Sequence, residues 1–365
     1  MPRDYDITGP SAQHAIEAGL VTPAWYRTDI ERPVMKALMK RSDQPALRDT
    51  ILLFSIMGIA ALGAIALMPS WWSLPLWLIY GVMYGSAMDS RWHECGHGTA
   101  FKTRWMNQVV YQIASFCMVR DPYCWKYSHA RHHSDTIIVG RDPEIAIMRP
   151  VIVIKLIANF VGLIDMWDGL RRMILHAFGR ILPDEAAYME PIFYTKTIRT
   201  ARTWVLIYAA TLIAAVAWQT WVPVLLIGLP RLYGCWHMVM CGWLQHGGLA
   251  DNVLDHRLNC RTVYMNPISR FIYWNMNYHV EHHMFPLVPY YKLPQLHQIC
   301  AHDFPEPNTS IFSAYREMLP ALLKQRFNPD FYLRRPLPQT AHPYHNGPEM
   351  ANKRNTKESD NGRVD

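Results

Sequence analysis

Four apolar runs limit what this chain can fold into. The first, "ILLFSIMGIAALGAIALM" from Ile51 to Met68, carries no charge. At ~1.5 Å rise per helical residue it covers about 27 Å, close to the hydrocarbon thickness of a bilayer. After "PSWWSLP" the apolar character resumes in "LWLIYGVMYGSAMDS", as far as Asp89. A later pair repeats the arrangement, from Thr203 to Trp221 and from Val222 to His246. The expected fold is therefore an all-α integral membrane protein. Its four transmembrane helices, at about 50–69, 73–90, 203–219 and 222–245, form two hairpins. A soluble all-α bundle is the alternative, and it would have to bury all four runs.

The flanks set the orientation. The turns "MPSWWSLP" and "AWQTWVP" carry no charge, and Trp71, Trp72, Trp218 and Trp221 suit an aromatic belt at one interface. The other ends are basic, with Lys36, Lys40, Arg41, Arg48, Arg91, Arg199, Arg202, Arg257 and Arg261. The positive-inside rule then places both termini and the middle segment in the cytoplasm. The net charge of +7 is accounted for at that face, without a nucleic-acid partner. Arg231, inside the fourth run, is expected to snorkel, and His237 to be a satisfied interior histidine.

The rest of the chain is more polar, since half its residues are hydrophobic yet the mean hydropathy is −0.06. Residues 1–48 read as a cytoplasmic segment with a short amphipathic helix near the membrane surface, and not as a secretory signal. The membrane domain spans 49–300. Its weaker apolar stretches, 106–119 and 150–167, are expected as interfacial or capping helices. A helical segment follows over 301–335, then a Pro-rich tail, 336–365, expected to be disordered, with His342 and His345 facing solvent. The seven Cys include no C-x-x-C and read as isolated reduced thiols.

Chemistry concentrates in three histidine clusters: His93 and His97; His129, His132 and His133; His279, His282 and His283. On a helix, i and i+4 share a face, while the neighbouring residue points about 100° further round. An H-x-x-H-H helix thus offers imidazoles in two directions, which suits two nearby metal ions. His93 follows the second run and His246 ends the fourth, so the rings can meet just below one membrane face. Nine imidazoles exceed what one zinc ion takes. The H-E-x-x-H of His93, Glu94 and His97 alone would fit an intramembrane zinc protease. That needs a third ligand, for which "MWDGL" at Asp168 is only a partial match, and it leaves the other clusters unused. A metal transporter would place its histidines within the spans.

Acids accompany the clusters: Glu94, Glu281, Asp135, Asp142, Glu144, Asp251 and Asp255. Carboxylates that orient ligating imidazoles are one reading, and salt bridges to nearby Arg the other. Glu94, Glu281, Asp135, Asp251 and Asn277 are the candidates for the supporting role. Asn275 and Asn277 could also merely cap a helix.

"HECGHGTAF", "HARHH" and "NYHVEHHMFP" resemble the three histidine boxes of the membrane fatty acid desaturase and hydroxylase superfamily, over roughly residues 45–300. The run "HGGLADNVLDHR…NMNYHVEHHMFP" is similar to its rhizopine-catabolism oxygenase branch. The resemblance implies a non-haem di-iron centre using O2 as co-substrate. By position its ligands would be His93, His97, His129, His132, His133, His279, His282 and His283, with His246 the ninth. It implies oxidation of a C–H bond, with desaturation of a fatty acyl chain first. Hydroxylation or oxidative demethylation of a lipid, carotenoid or small molecule is the alternative. The third box begins with His279, not the Gln of front-end desaturases, and the sequence contains no H-P-G-G haem motif. Electrons are therefore expected from a separate ferredoxin or rubredoxin with its reductase. The donor would dock on a basic surface for which Arg131, Arg141, Arg149, Arg171 and Arg172 are candidates. The expected location is a bacterial inner membrane.

Overall fold

The computed structural model describes residues 3–21 and 24–345, and the chain is mostly helical. Among the described residues the only bridges are isolated ones, Thr262 with Tyr278 and Val263 with Asn308. The first apolar run lies in the helix Asp43–Ala66 and the third in Tyr194–Ala217. Among the described residues, the two helices long and apolar enough to cross a membrane contain these runs. Only 33% and 17% of their apolar windows are buried, whereas the core helix of a soluble protein hides most of its surface. Ile59, Leu62, Leu206, Ile213 and Val216 stand exposed, as do Trp71, Trp72, Trp218 and Trp221 at the turns.

The second run passes without a break from Ser73–Val82 through a π-helical turn, Met83–Ala87, into Met88–His97, so one helical column carries the apolar run into the first histidine box. The fourth run departs from expectation. Instead of one helix it forms Val222–Leu226, Pro230–Tyr233 and Trp236–His246. Pro223 and Pro230 lack an N–H, and Gly228 adopts φ +90°, so the helix cannot propagate there. The break serves a close crossing. A Cβ on Gly234 would lie 1.7 Å from the Gly81 carbonyl oxygen, and one on Gly85 2.5 Å from that of Pro230. Ser86 Oγ donates to the Gly234 carbonyl at 2.6 Å and accepts from Met238 N at 2.9 Å, pinning the two columns together.

Arg231 does not snorkel. It is 1% exposed, with its guanidinium 3.5 Å from Asp165. His237 does find an interior partner, Ser269 Oγ at 3.1 Å. The stretch 106–119 is helical as expected, within Arg104–Met118. The stretch 150–167 splits at Gly162 into Val153–Phe160 and Leu163–Ala177. The Val153–Phe160 helix buries none of its residues and exposes Ile154 and Ile157.

The described parts of both flanking segments hold tighter than expected. Helices Pro10–Glu17 and Arg32–Leu38 flank a stretch that packs inward, where the hydroxyls of Tyr26 and Thr28 donate to Asp303 at 2.7 and 2.5 Å. Of the tail, residues 336–345 are not loose. Tyr344 is buried beside Ala250, Val253 and Leu258. Buried Arg257, paired with Asp255 and Asp303, donates to the carbonyls of His342 and Pro343 at 3.0 and 3.1 Å. A buried guanidinium needs acceptors on every side, and the tail supplies two. Residues 346–365 lie outside the described residues. All seven Cys are free and buried.

Candidate metal centre

Four helices bring the histidines together. Met88–His97 supplies His93 and His97, and Gly98, at φ +68°, ends that helix just after the second ring. Cys124–Ser134 supplies His129, His132 and His133. His246 is the last residue of Trp236–His246, and the six-residue helix His279–Met284 carries the third box.

The nine rings sort into two groups, each with its ligand atoms within 4.8 Å of one another. One holds His93, His97, His129, His133 and His282, the other His132, His246, His279 and His283. Helix arithmetic accounts for the sorting. The i, i+4 pairs His93/His97, His129/His133 and His279/His283 each stay together, and the odd member of each H-x-x-H-H turns to the other group.

Ring nitrogens that should repel or lack partners face one another. Nε2 of His129 lies 3.1 Å from that of His97 and 3.2 Å from that of His133. His282 and His133 face at 3.1 Å, and His279 and His246 at 3.0 Å. Both ring nitrogens of His93, and Nε2 of His283, are buried without a hydrogen bond. Burial first, then neighbouring rings, pushes His93, His97, His133, His246, His279, His282 and His283 well below the ordinary imidazole range. Neutral rings with buried free lone pairs are the donor set a cation needs. Two nitrogens bonded to one ion at about 2.1 Å and near a right angle lie about 3.0 Å apart, while a tetrahedral angle sets them at about 3.4 Å. The observed 3.0–3.2 Å falls within that range, so the residues present fit metal ions.

Partners behind the rings fix which nitrogen faces inward. Nδ1 of His129 meets Glu144 and Nδ1 of His132 meets Asp142, both at 2.8 Å. His246 Nδ1 meets the Asn259 carbonyl at 2.7 Å, and His283 Nδ1 meets Thr136 Oγ1 at 3.1 Å. Burial works against the Glu144 carboxylate, yet His129 and His132 hold its pKa down to about 2. Burial likewise disfavours charge on His132, but Asp142 raises that ring overall.

The supporting residues expected from sequence fare unevenly. Glu94 lies inside the site, with Oε1 3.9 Å from His93 Nδ1 and 3.7 Å from His282 Nδ1, and burial pushes its carboxyl up to about 7. Glu281 instead bonds His297 Nδ1 and accepts from Thr262 Oγ1 at 2.6 Å. Asp135 pairs with Arg141, and Asp251 with Arg3 and Arg149. Asn277 donates to the Val263 carbonyl at 2.8 Å, and Asn275 bonds Arg270 and the Tyr290 carbonyl. Asp168 pairs with Arg171 and Arg172, away from the histidine groups. Of the arginines expected to meet a donor, Arg149 is buried and Arg172 is tied to Asp168, Asp184 and Glu185.

Sequence reasoning passed over His256 and Cys260, which cluster with His283. Their H-x-x-x-C spacing was the available signal. His256 stacks on Trp25 at 4.2 Å between centroids. A cavity of about 690 Å³ reaches His93, His129, His132, His246 and His279, with walls that include Trp92, Met238, Tyr273 and Met276.

Fold and site together define a helical protein with two span-length apolar helices among the described residues and an imidazole cluster in two groups. The chain belongs to the fatty acid desaturase family, whose profile matches residues 69–315. It is 25% identical over 266 residues to an omega-6 fatty acid desaturase, endoplasmic reticulum isozyme 1, of Glycine max, covering 62% of this chain and 65% of that protein. An acyl-lipid (9+3)-(E)-desaturase of Dimorphotheca sinuata matches at 23% over 328 residues, 78% of this chain and 83% of its own length. An oleoyl-12-hydroxylase of Ricinus communis matches at 23% over 249 residues, 59% and 62% respectively. The chain thus spans just under two thirds of the first and third of these proteins.

Proposed function

We propose that the chain is an integral-membrane, O2-dependent oxidoreductase that oxidises an unactivated aliphatic C–H bond at a non-haem di-iron centre. One observation carries the reading: two adjoining groups of inward-turned ring nitrogens, most of them buried, with facing Nε2 atoms 3.0–3.2 Å apart. His93, His97, His129, His133 and His282 would hold one iron, and His132, His246, His279 and His283 the other. Bound there, the iron pair would supply O2 activation and hydrogen abstraction.

The chain's own residues do the positioning. Glu144, Asp142 and the Asn259 carbonyl hold the proton of their partner rings on Nδ1, which leaves each Nε2 lone pair facing inward. Glu94 Oε1 lies 3.9 and 3.7 Å from Nδ1 of His93 and His282, beyond hydrogen-bond distance, so it acts on those rings through its charge. Trp92, Met238 and Met276 hold the aliphatic part of a substrate against the histidines and keep water out. Desaturation of an acyl chain, with electrons from a separate ferredoxin- or rubredoxin-type donor and its reductase, is the first reading. The desaturase names of the relatives support it. Hydroxylation or oxidative demethylation of a more polar molecule is the second, favoured by Arg231, Asp165 and Lys155 in the cavity wall and by the hydroxylase among the relatives.

In this reading the four apolar runs form two hairpins within a membrane domain over 49–300, which the segments 1–48 and 301–335 cover. The site and both termini face the cytoplasm of a bacterial inner membrane. Metal analysis should find two irons per chain. Mass analysis of products formed with a reconstituted donor should show loss of two hydrogens, gain of oxygen or loss of a methyl. A single bound zinc, with peptidase activity abolished by Glu94→Gln, would overturn the proposal.

A further inference from the structure

The helix Ile311–Phe327 carries a face that neither the core nor the metal centre uses. Phe312, Leu319, Leu323 and Phe327 follow one another at steps of seven, four and four residues, which keeps them within about 80° of the helix circumference. All four are exposed, Phe312 at 78% and Phe327 at 82%. Single exposed apolar residues are ordinary, whereas a contiguous row of this kind marks an interaction surface. Arg316 and Arg326 stand exposed on the same side of the helix, with Lys324 at its edge. The one acid of the helix, Glu317, is turned aside to Asn308 and Arg335.

Placement and charge say what covers the row. The opposite face packs on Trp236–His246, the end of the fourth apolar run. Met318 and Leu322 cluster with Leu244, and the Tyr315 hydroxyl donates to the Met240 carbonyl at 2.8 Å. Beside the row lies an apolar groove of about 580 Å³, walled by residues 150–154 and Ile157, with Arg326 as the single charged side chain on it. Apolar walls beside one cation suit acyl chains beneath an anionic headgroup. A second copy seated there would bring like charges together, because the face carries no acid.

We propose that this face of Ile311–Phe327, with the groove beside it, beds in the headgroup layer of an anionic bilayer, the helix lying in the membrane plane. A helix of this kind sinks its apolar row toward the acyl chains, while its cations meet the lipid phosphates. The bed rests on the integral-membrane reading and not on the metal chemistry.

Labelling tests it. All seven cysteines are free and buried, so a cysteine placed on the surface can be labelled alone. Full-length protein with Leu323→Cys or Phe327→Cys, carrying an environment-sensitive fluorophore, is reconstituted in vesicles of phosphatidylcholine and phosphatidylglycerol. Nitroxide-labelled lipid should quench both labels, and aqueous iodide should not. A label at Glu17→Cys, exposed on Pro10–Glu17, should behave in the opposite way. Omitting phosphatidylglycerol should weaken the lipid quenching about twofold to fivefold, and Arg316→Glu with Arg326→Glu should remove that dependence. Quenching of the two labels by iodide overturns the bed. Shielding from both quenchers also overturns it and gives the row to another protein or a second copy. Lipid quenching that ignores phosphatidylglycerol overturns the anionic bilayer as occupant. A label at Leu62→Cys, exposed on Asp43–Ala66, reads the membrane reading separately. Lipid that reaches Leu62 but neither Leu323 nor Phe327 refutes the bed and leaves the span standing. Lipid that reaches Leu323 and Phe327 but not Leu62 refutes the span and leaves the bed standing.

Discussion

Behind His129 and His132, a carboxylate decides which nitrogen of the ring looks inward, and this separates Glu144 and Asp142 from the other acids nearby. Glu144→Gln and Asp142→Asn should each weaken metal binding about tenfold to hundredfold, read by competition with a chelator. Asp135→Asn and Asp251→Asn should leave it unchanged, because those carboxylates serve Arg141, Arg3 and Arg149. His133→Ala should cost both bound iron and product, since Nε2 of His133 faces both His129 and His282. The histidines themselves were legible, because their spacing is a local property of the helix. The acids were not. Asp135 and Asp142 both follow the second box closely in sequence, and only the turn between them sends one toward an arginine and the other toward a ring.

At the scale of elements, the crossing of the second and fourth runs is the tightest point. Gly234→Ala would put a Cβ into the Gly81 backbone, which cannot give way, so it should destabilise the protein by about 3 kcal/mol or prevent folding. Gly63→Ala is the control. Its Cβ would meet only the end of the Leu76 side chain at 2.9 Å, and the melting temperature should fall far less. The first and third runs formed the helices that their apolar length predicts. The fourth did not. Its prolines and Gly228 stop the helix where hydropathy alone would continue it. The small-residue spacing of Gly81 and Gly85 is a further local signal of close packing.

For the whole molecule, metal and fold should be coupled. The rings sit buried with free lone pairs, so the ion that satisfies them binds the folded chain and not the unfolded one. Chelation should therefore lower the melting temperature by several degrees, with recovery on adding iron, and scanning calorimetry reads both. An equal melting temperature with and without metal would count against a structural debt at the rings. The exposed faces of Asp43–Ala66 and Tyr194–Ala217 call for lipid or detergent. Replacing Leu62 and Ile213 by Lys should reduce membrane insertion, checked by fractionation.

The sequence by itself determined that the chain would be helical, that long apolar runs would lie beside polar segments, and that three histidine clusters would present rings in two directions. All of these follow from periodicity and hydropathy, which act over a few turns of helix. The tertiary structure decided the rest. It set the five-and-four division of the rings and the choice of Glu144 and Asp142 behind them. It crossed the second and fourth runs at Gly81 and Gly234, folded the tail onto Arg257, and buried Arg231 beside Asp165. Each of these joins residues of different elements or loops, through burial that gives every charged or polar group few partners to choose from. No local pattern can say which partner that will be.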